Sequence, residues 1–335
     1  DSIYTGDSFE GMRQGYGTFK YNNGDVYTGL WAKNKREEEG TCTYKNGDTY
    51  KGHWKDDTYD GYGILTYASG DQYSGNWENG KMKGNGKYRK ADGSTYAGSF
   101  KEGKKDGGGL YVTATGDTIA GEFRNDKAHG YNYIRYKDGT RVMLMCKDDI
   151  PNGFCITEAT DGTLYYQYQK DGKFDGPGII IMPDKTICGV VYSNGKLIDS
   201  NSHKMIYKSQ VYYDQVYYDL KEPDISYIRT KPSDTHFGEI IYSHGGVYIG
   251  DLREGMPYGF GILVYANRDA YIGTVENGLS EGQGGLIFLN SGNCYHGQFH
   301  NNKRNGIVTL VLARGGTTYH EMYKNGKYEW TVPAL

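Results

Sequence analysis

Histidine pairs, cysteine pairs, glycine loops and lysine rows are the places where this chain could carry chemistry. His296 and His300 are four residues apart. On a strand that spacing puts both imidazoles on one face about 13 Å apart, too far to share an ion, so a solvated surface pair is expected. Cys146 and Cys155 could face each other across a hairpin, and buried small hydrophobes are expected there rather than a metal site or redox pair. The five cysteines (Cys42, Cys146, Cys155, Cys188, Cys294) form no Cys-x-x-Cys and coexist with no Asn-x-Ser/Thr sequon, which fits a reducing, cytosolic compartment. With 51 glycines, accidental phosphate-loop motifs are expected, yet GxxxxGK[ST] is absent. Gly61 and Gly63 are followed by Gly70, which breaks the GxGxxG spacing. GxSxG and HExxH are absent too. The expectation is a protein that is not an enzyme, with no catalytic residue, cofactor, metal or small-molecule substrate.

Lys81, Lys83, Lys101, Lys104 and Lys105 fall in consecutive turns and could line one sheet edge, where lipid headgroups would meet them. Each turn also carries an acid (Glu78, Glu102, Asp106), whereas a membrane-binding cluster usually needs about four to eight uncompensated cations. Edge protection by charge is the favoured reading, with anionic phospholipid as the alternative partner. The net charge of −3, from 38 basic and 41 acidic residues intermixed along the chain, supplies no field that would recruit nucleic acid.

The elements that position these residues follow from a beat. Tyr4, Tyr27, Tyr50, Tyr73 and Tyr96 recur every 23 residues, each followed two positions later by glycine, and Trp31, Trp54, Trp77 and Phe100 keep the same step. With each Tyr as position 1, the unit reads Tyr-x-Gly-x-Trp-x-x-Gly, then Gly-x-Gly at positions 12 and 14, apolar residues at 16 and 18, and Asn/Asp/Ser-Gly-Asp at the end. The large residues alternate with polar ones, the period-two signature of half-buried strands. Asn79-Gly80 and Asp92-Gly93 carry hairpin-turn chemistry that needs positive φ. Each unit is therefore predicted to be an antiparallel hairpin in which glycines leave room for the rings of neighbouring hairpins. An aromatic content of 15% gives such hairpins substantial area to bury and argues against disorder.

Copies are clear through residue 141, although Ile119 and Asn132 replace Tyr and Gly in the sixth and Glu37-Glu38-Glu39-Gly40 replaces Gly-x-Gly in the second. The reading divides the chain into an N-terminal array (1–141), degenerate copies (142–198), a non-repeat insertion (199–235) and a C-terminal array (236–335). Within the insertion, Ile206, Tyr213, Val216, Tyr217 and Leu220 can share one helical face, stopped by Pro223. Tyr213 and Tyr217 would then plug the array or contact a partner. There is no run of about 18 apolar residues and no signal-peptide pattern. The chain starts at Asp1 without methionine, so a preceding segment is expected.

The run from Tyr73 to Gly86, Tyr-x-Gly-x-Trp-x-x-Gly-Lys-x-x-Gly-x-Gly, resembles the MORN repeat, the membrane occupation and recognition nexus. The resemblance covers nearly all of the chain outside about 200–235. It implies an all-β fold, an elongated single-layer twisted antiparallel sheet with a groove lined by the ring positions: Tyr27, Trp31, Tyr50, Trp54, Tyr73, Trp77, Tyr96, Phe100, Tyr248, Tyr271, Tyr295 and Phe299. Leu252, Val275 and Phe299 replace Trp in the C-terminal copies, so a different groove shape is expected there. Family members include junctophilins, radial-spoke head proteins of cilia and cytoskeletal scaffolds. Where an enzyme carries such repeats, a separate domain does the chemistry.

The function expected is a non-catalytic scaffold that binds partner proteins through the aromatic groove, or joins copies of itself, in a cytoplasmic, cytoskeletal or ciliary (axonemal) assembly. The alternatives are a peripheral membrane tether and the regulatory repeat region of a larger enzyme.

Overall fold

The computed structural model describes residues 2–184, 186–204, 225–231, 234–242, 246–267, 269–288, 291, 293–312 and 318–332. Among these there is no helix, and the strands pair antiparallel with their sequence neighbours. The helical insertion expected around Tyr213 and Tyr217 lies outside the described residues. The chain divides into two compact units, Asp1–Lys127 and Ala128–Leu335.

Unit 1 is a run of hairpins: β1 (Ile3–Phe9), β2 (Met12–Lys20), β3 (Val26–Ala32), β4 (Lys35–Thr43), β5 (Thr49–Lys55), β6 (Thr58–Thr66), β7 (Gln72–Glu78), β8 (Lys81–Arg89), β9 (Thr95–Lys101), β10 (Lys104–Val112) and β11 (Thr118–Arg124). The turn inside each copy places two consecutive residues at positive φ, as at Asp56 and Asp57 (48° and 67°) or Asn79 and Gly80 (48° and 76°). Their twist matches that of the strands they join. The link between copies is clipped by the aspartate at position 22: Asp25, Asp48 and Asp71 each accept a backbone N–H of the next copy, from Lys45, Ala68 and Ala91, at 2.8–2.9 Å.

The pairing within a copy sets which side chains share a face. In β5 and β6, Tyr50 faces Leu65, Gly52 faces Gly63, and after a bulge Trp54 faces Tyr59. The bulge turns on Gly61, whose φ of +91° lies in the left-handed region that glycine enters without strain. The register repeats into β7, where Leu65 faces Tyr73 and Gly63 faces Gly75. One face of unit 1 therefore collects every Tyr, Trp and glycine of the beat. The opposite face carries Thr28, Lys51, Ser74, Asn76 and Lys87, which are partly or fully exposed. Unit 1 is one layer, with its core on the ring face.

Unit 2 adds a layer. Its strands run from β12 (Lys127–Arg135) to β18 (Lys196–Lys204) and from β19 (Ile225–Lys231) to β28 (Lys327–Val332). Hairpin geometry continues at β19, where the residue pattern of the repeat has lapsed. The back faces of the two groups, polar in unit 1, are apolar here and share one core. Tyr131, Met143, Phe154, Ile156, Leu164, Tyr166, Ile179 and Ile181 on the first group meet Val247, Ile249, Ile262, Val264, Ala270, Ile272 and Ile287 on the second. Gly285 belongs to this contact: a Cβ there would lie 2.9 Å from the Phe154 ring. The sandwich buries the positions that alternate with the rings, one residue out of phase with them.

Candidate functional site

On the ring face of unit 1, the position-1 tyrosines from Tyr27 to Tyr96 each stand edge-on between two position-5 rings. Tyr27 lies 5.0 Å from Trp31 and 5.2 Å from Trp54, and Tyr50 lies 5.1 Å from Trp54 and 5.7 Å from Trp77. Tyr73 lies 5.0 Å from Trp77 and 5.1 Å from Phe100, and Tyr96 lies 5.2 Å from both Phe100 and Phe123. Interplanar angles near 81–87° are the edge-to-face geometry that aromatic quadrupoles favour.

Polar atoms of these rings are consumed locally. The hydroxyls of Tyr27, Tyr50, Tyr73 and Tyr96 donate to the carbonyl oxygens of Leu30, His53, Asn76 and Ser99 at 2.9–3.2 Å. Trp31, Trp54 and Trp77 donate Nε1–H to the carbonyls of Gly17, Gly40 and Gly63 at 3.2–3.3 Å. Burial pushes the Tyr73 phenol up to about 12, and raises those of Tyr27, Tyr50 and Tyr96 as well. They are neutral hydrogen-bond donors and offer no acid–base chemistry.

The eight expected groove residues of this unit, Tyr27, Trp31, Tyr50, Trp54, Tyr73, Trp77, Tyr96 and Phe100, are thus brought together, but none is more than 6% exposed. They are a floor. What a partner could touch is the layer packed on that floor: Phe19, Tyr21, Tyr44, Tyr59, Tyr67, Met82, Tyr88 and Tyr111, all partly exposed. Tyr59 stacks flat on Tyr50 at 3.7 Å and hydrogen-bonds the Tyr44 hydroxyl.

Position 10 was not singled out by the sequence. It faces position 5 across the hairpin, so Arg13, Arg36, Tyr59, Met82 and Lys105 lie in one row over the rings. The Arg13 guanidinium carbon is 4.4 Å from the Phe19 centroid and 4.3 Å from that of Trp31, and Arg36 is 4.1 Å from Trp54. The Lys105 ammonium is 5.5 Å from Tyr96, 5.2 Å from Tyr111 and 5.3 Å from Phe123. These are cation–π distances. A signal for the row was present: Asn34, Asp57 and Asp126, each 21 residues after a position-10 cation, accept the backbone N–H of Arg13, Arg36 and Lys105 at 2.8–3.0 Å.

The lysines considered for lipid headgroups separate into three environments. Lys81 pairs with Glu102 and Lys83 with Glu78. Lys101 and Lys104 are exposed and face each other across a turn. Lys105 is turned onto the rings.

In unit 2, Tyr248, Tyr271, Tyr295 and Phe299 belong to a second ring-face cluster with Ile240, Tyr242, Leu252, Leu263, Val275 and Leu286. Tyr271 meets Phe299 edge-on at 5.2 Å. Position 10 here is Pro257, Ser280 and Arg304, and the Arg304 guanidinium lies 4.0 Å from Tyr295 and 4.2 Å from Tyr323. Cys146 and Cys155 are buried with Leu144, as expected, and burial pushes both thiols up to about 11, which leaves them protonated and unreactive.

The expectation of a solvated His296–His300 pair is corrected. His300 is exposed and bonds Glu281 through Nδ1 at 2.8 Å. His296 lies partly buried against Tyr131 at 4.7 Å between ring centroids, because its strand's back face is covered. Among the described residues there is no cluster of three groups able to hold a metal.

The family profile described as the MORN repeat matches residues 4–26, 27–49, 50–72, 73–95, 96–118, 120–141, 248–270, 271–291 and 295–307, more than half of the chain. No curated relative matches. Among solved structures, the TCP domain of SAS-4 from Drosophila melanogaster, in complex with a proline-rich motif of Ana2, is 17% identical, with 46% of this chain and 84% of that chain covered and a TM-score of 0.32. A streptogramin B lyase is 11% identical over 94% of this chain and 96% of that one, with a TM-score of 0.14. Sqt1 of Saccharomyces cerevisiae is 11% identical over 95% and 82%, with a TM-score of 0.16.

Proposed function

The chain belongs to the MORN repeat family, and from that premise we propose that it is a non-catalytic scaffold whose unit 1 ring face docks a partner protein. The observation that carries this reading is the second layer on the ring floor. Tyr44, Tyr59, Tyr67, Met82, Tyr88 and Tyr111 leave apolar surface partly open along successive hairpins, and a contiguous apolar strip of that length marks an interaction site.

The floor itself is the wrong place to probe. Trp54 and Trp77 are buried and hydrogen-bonded, so their removal would loosen the unit rather than a complex. Met82→Asp places charge on the open layer instead. Affinity capture from cells with the full chain should lose its partner with Met82→Asp while the thermal melt stays within a few degrees; undiminished capture by a folded variant would falsify the docking face.

A peripheral membrane tether is the second reading, favoured by the exposed, unneutralised pair Lys101 and Lys104. Its test is flotation with phosphoinositide vesicles at physiological salt, where a chain that stays at the bottom of the gradient contradicts it. The cellular setting we favour, a cytoplasmic cytoskeletal or axonemal assembly, rests on family analogy alone. A tagged chain concentrated along the axoneme of ciliated cells supports it, and a diffuse signal contradicts it.

A further inference from the structure

Arg13, Arg36 and Lys105 sit over rings of the same face, yet their charges are met differently. Arg36 donates Nε–H to the Asp57 carboxylate at 2.9 Å and Nη2–H to the Asp57 carbonyl at 2.8 Å. Arg13 meets Asn34 at the same turn position, a neutral residue, and donates Nη2–H to its carbonyl at 2.8 Å. The Arg13 Nε is buried with no hydrogen-bond partner. Lys105 has Asp126 at the equivalent place, but that carboxylate accepts the Lys105 backbone N–H at 2.9 Å, and no carboxylate of the described residues pairs with its ammonium. By contrast, Lys35, Lys81, Lys83 and Arg141 all have acidic partners. Two ring-backed, partly exposed cations on this face therefore lack a counter-charge among the described residues, and their outward donors are open to a charged acceptor.

Their placement defines what fits. Arg13 on β2 and Lys105 on β10 are eight strand spacings apart, roughly 38 Å. Between them the row is paired at Arg36 and apolar at Tyr59 and Met82. Resting on the scaffold reading above, we infer that the occupant of the unit 1 ring face is an acidic polypeptide segment: carboxylates at two ends, engaging Arg13 and Lys105, with apolar side chains between them on Tyr59 and Met82. A helix of about 25 residues covers that span, the groove mode in which periodic apolar anchors dock an amphipathic helix. A bilayer is a poorer match, because the two cations lie along the face on rings, and of the four lysines in the neighbouring turns Lys81 and Lys83 are already neutralised, which leaves only Lys101 and Lys104.

The test uses the full chain against a display library of random peptides of about 25 residues, followed by anisotropy titration of a selected peptide. The inference expects Asp and Glu enriched near both ends of the selected peptides around an apolar centre. Lys105→Met, which keeps the aliphatic stem on the rings, should weaken binding about tenfold, whereas Lys51→Met on the back face should leave it unchanged. Raising salt on the unmodified chain should weaken binding as well, a measurement that does not depend on any variant folding. Selected peptides with no acidic bias, or affinity indifferent to both Lys105→Met and salt, overturn the acidic partner while leaving the docking face intact. Failure to select any peptide overturns both, and flotation of the same chain with phosphatidylserine vesicles would then transfer the face to a membrane.

Discussion

At Gly63 an added Cβ would meet the Tyr50 hydroxyl at 2.2 Å, and the equivalent atom at Gly40 would meet that of Tyr27 at the same distance. The tyrosine and the two glycines around it are one steric unit, which is why the sixth copy, having Ile119 in place of tyrosine, also tolerates Asn132 in place of glycine. Gly63→Ala should destabilise unit 1 by about 1–3 kcal/mol through overpacking, read by urea denaturation. Glu38 occupies the bulge position filled elsewhere by a glycine such as Gly61, at a φ of +50°. Glu38→Gly should stabilise by about 0.5–1 kcal/mol, relief of left-handed strain less the extra freedom glycine has when unfolded; a lower melting temperature would contradict this. His296 titrates below its ordinary value because burial disfavours the charged ring. Its neutral form is the folded one, so its contribution is complete above about pH 6.5 and is lost as pH falls below that. His296→Ile, the residue type at Ile249 and Ile272 in the equivalent place, should therefore narrow the difference in melting temperature between pH 7 and pH 5. The tyrosines, tryptophans and glycines were legible in the sequence because sterics hold them constant. Position 10 was not, because its residue types vary and the left-handed glycine of the bulge interrupts the alternation by which its face would be counted.

Hairpins were legible as elements, since turn residues and period-two alternation act within one copy. The sandwich of unit 2 was not, because it is written on the face that the tyrosine beat ignores. Where unit 1 has Thr28, Lys51 and Ser74 at position 2, unit 2 has Ile249 and Ile272, and comparison of the copies at that position would have exposed a second buried surface. Ile262 and Ile64 occupy the same position of their copies, yet Ile262 is fully buried between sheets while Ile64 is partly exposed on an uncovered face. Ile262→Ala should destabilise unit 2 by about 2–5 kcal/mol, and Ile64→Ala should cost unit 1 about 1 kcal/mol or less. Equal losses, measured by following each unit's exchange-protected amides in denaturant, would contradict a back-to-back core confined to unit 2.

For the molecule as a whole, the two units use one hairpin in two ways. Unit 1 spends its apolar surface on one face and keeps the other polar, so each copy leans on its neighbours. Unit 2 buries both. The chain divides between Lys127 and Ala128, inside the copy whose tyrosine is already Ile119. A single-layer unit with a sealed aromatic floor, a half-open layer above it and ring-backed cations along the row is suited to holding another chain. The direct measurement is site-specific photocrosslinking in cells, with benzoylphenylalanine placed at Met82 on the ring face or at Asn76 on the back face of the full chain. The account predicts a discrete protein adduct from position 82 and none from position 76. An adduct from position 76 alone, or none from position 82 in a correctly folded chain, would contradict it.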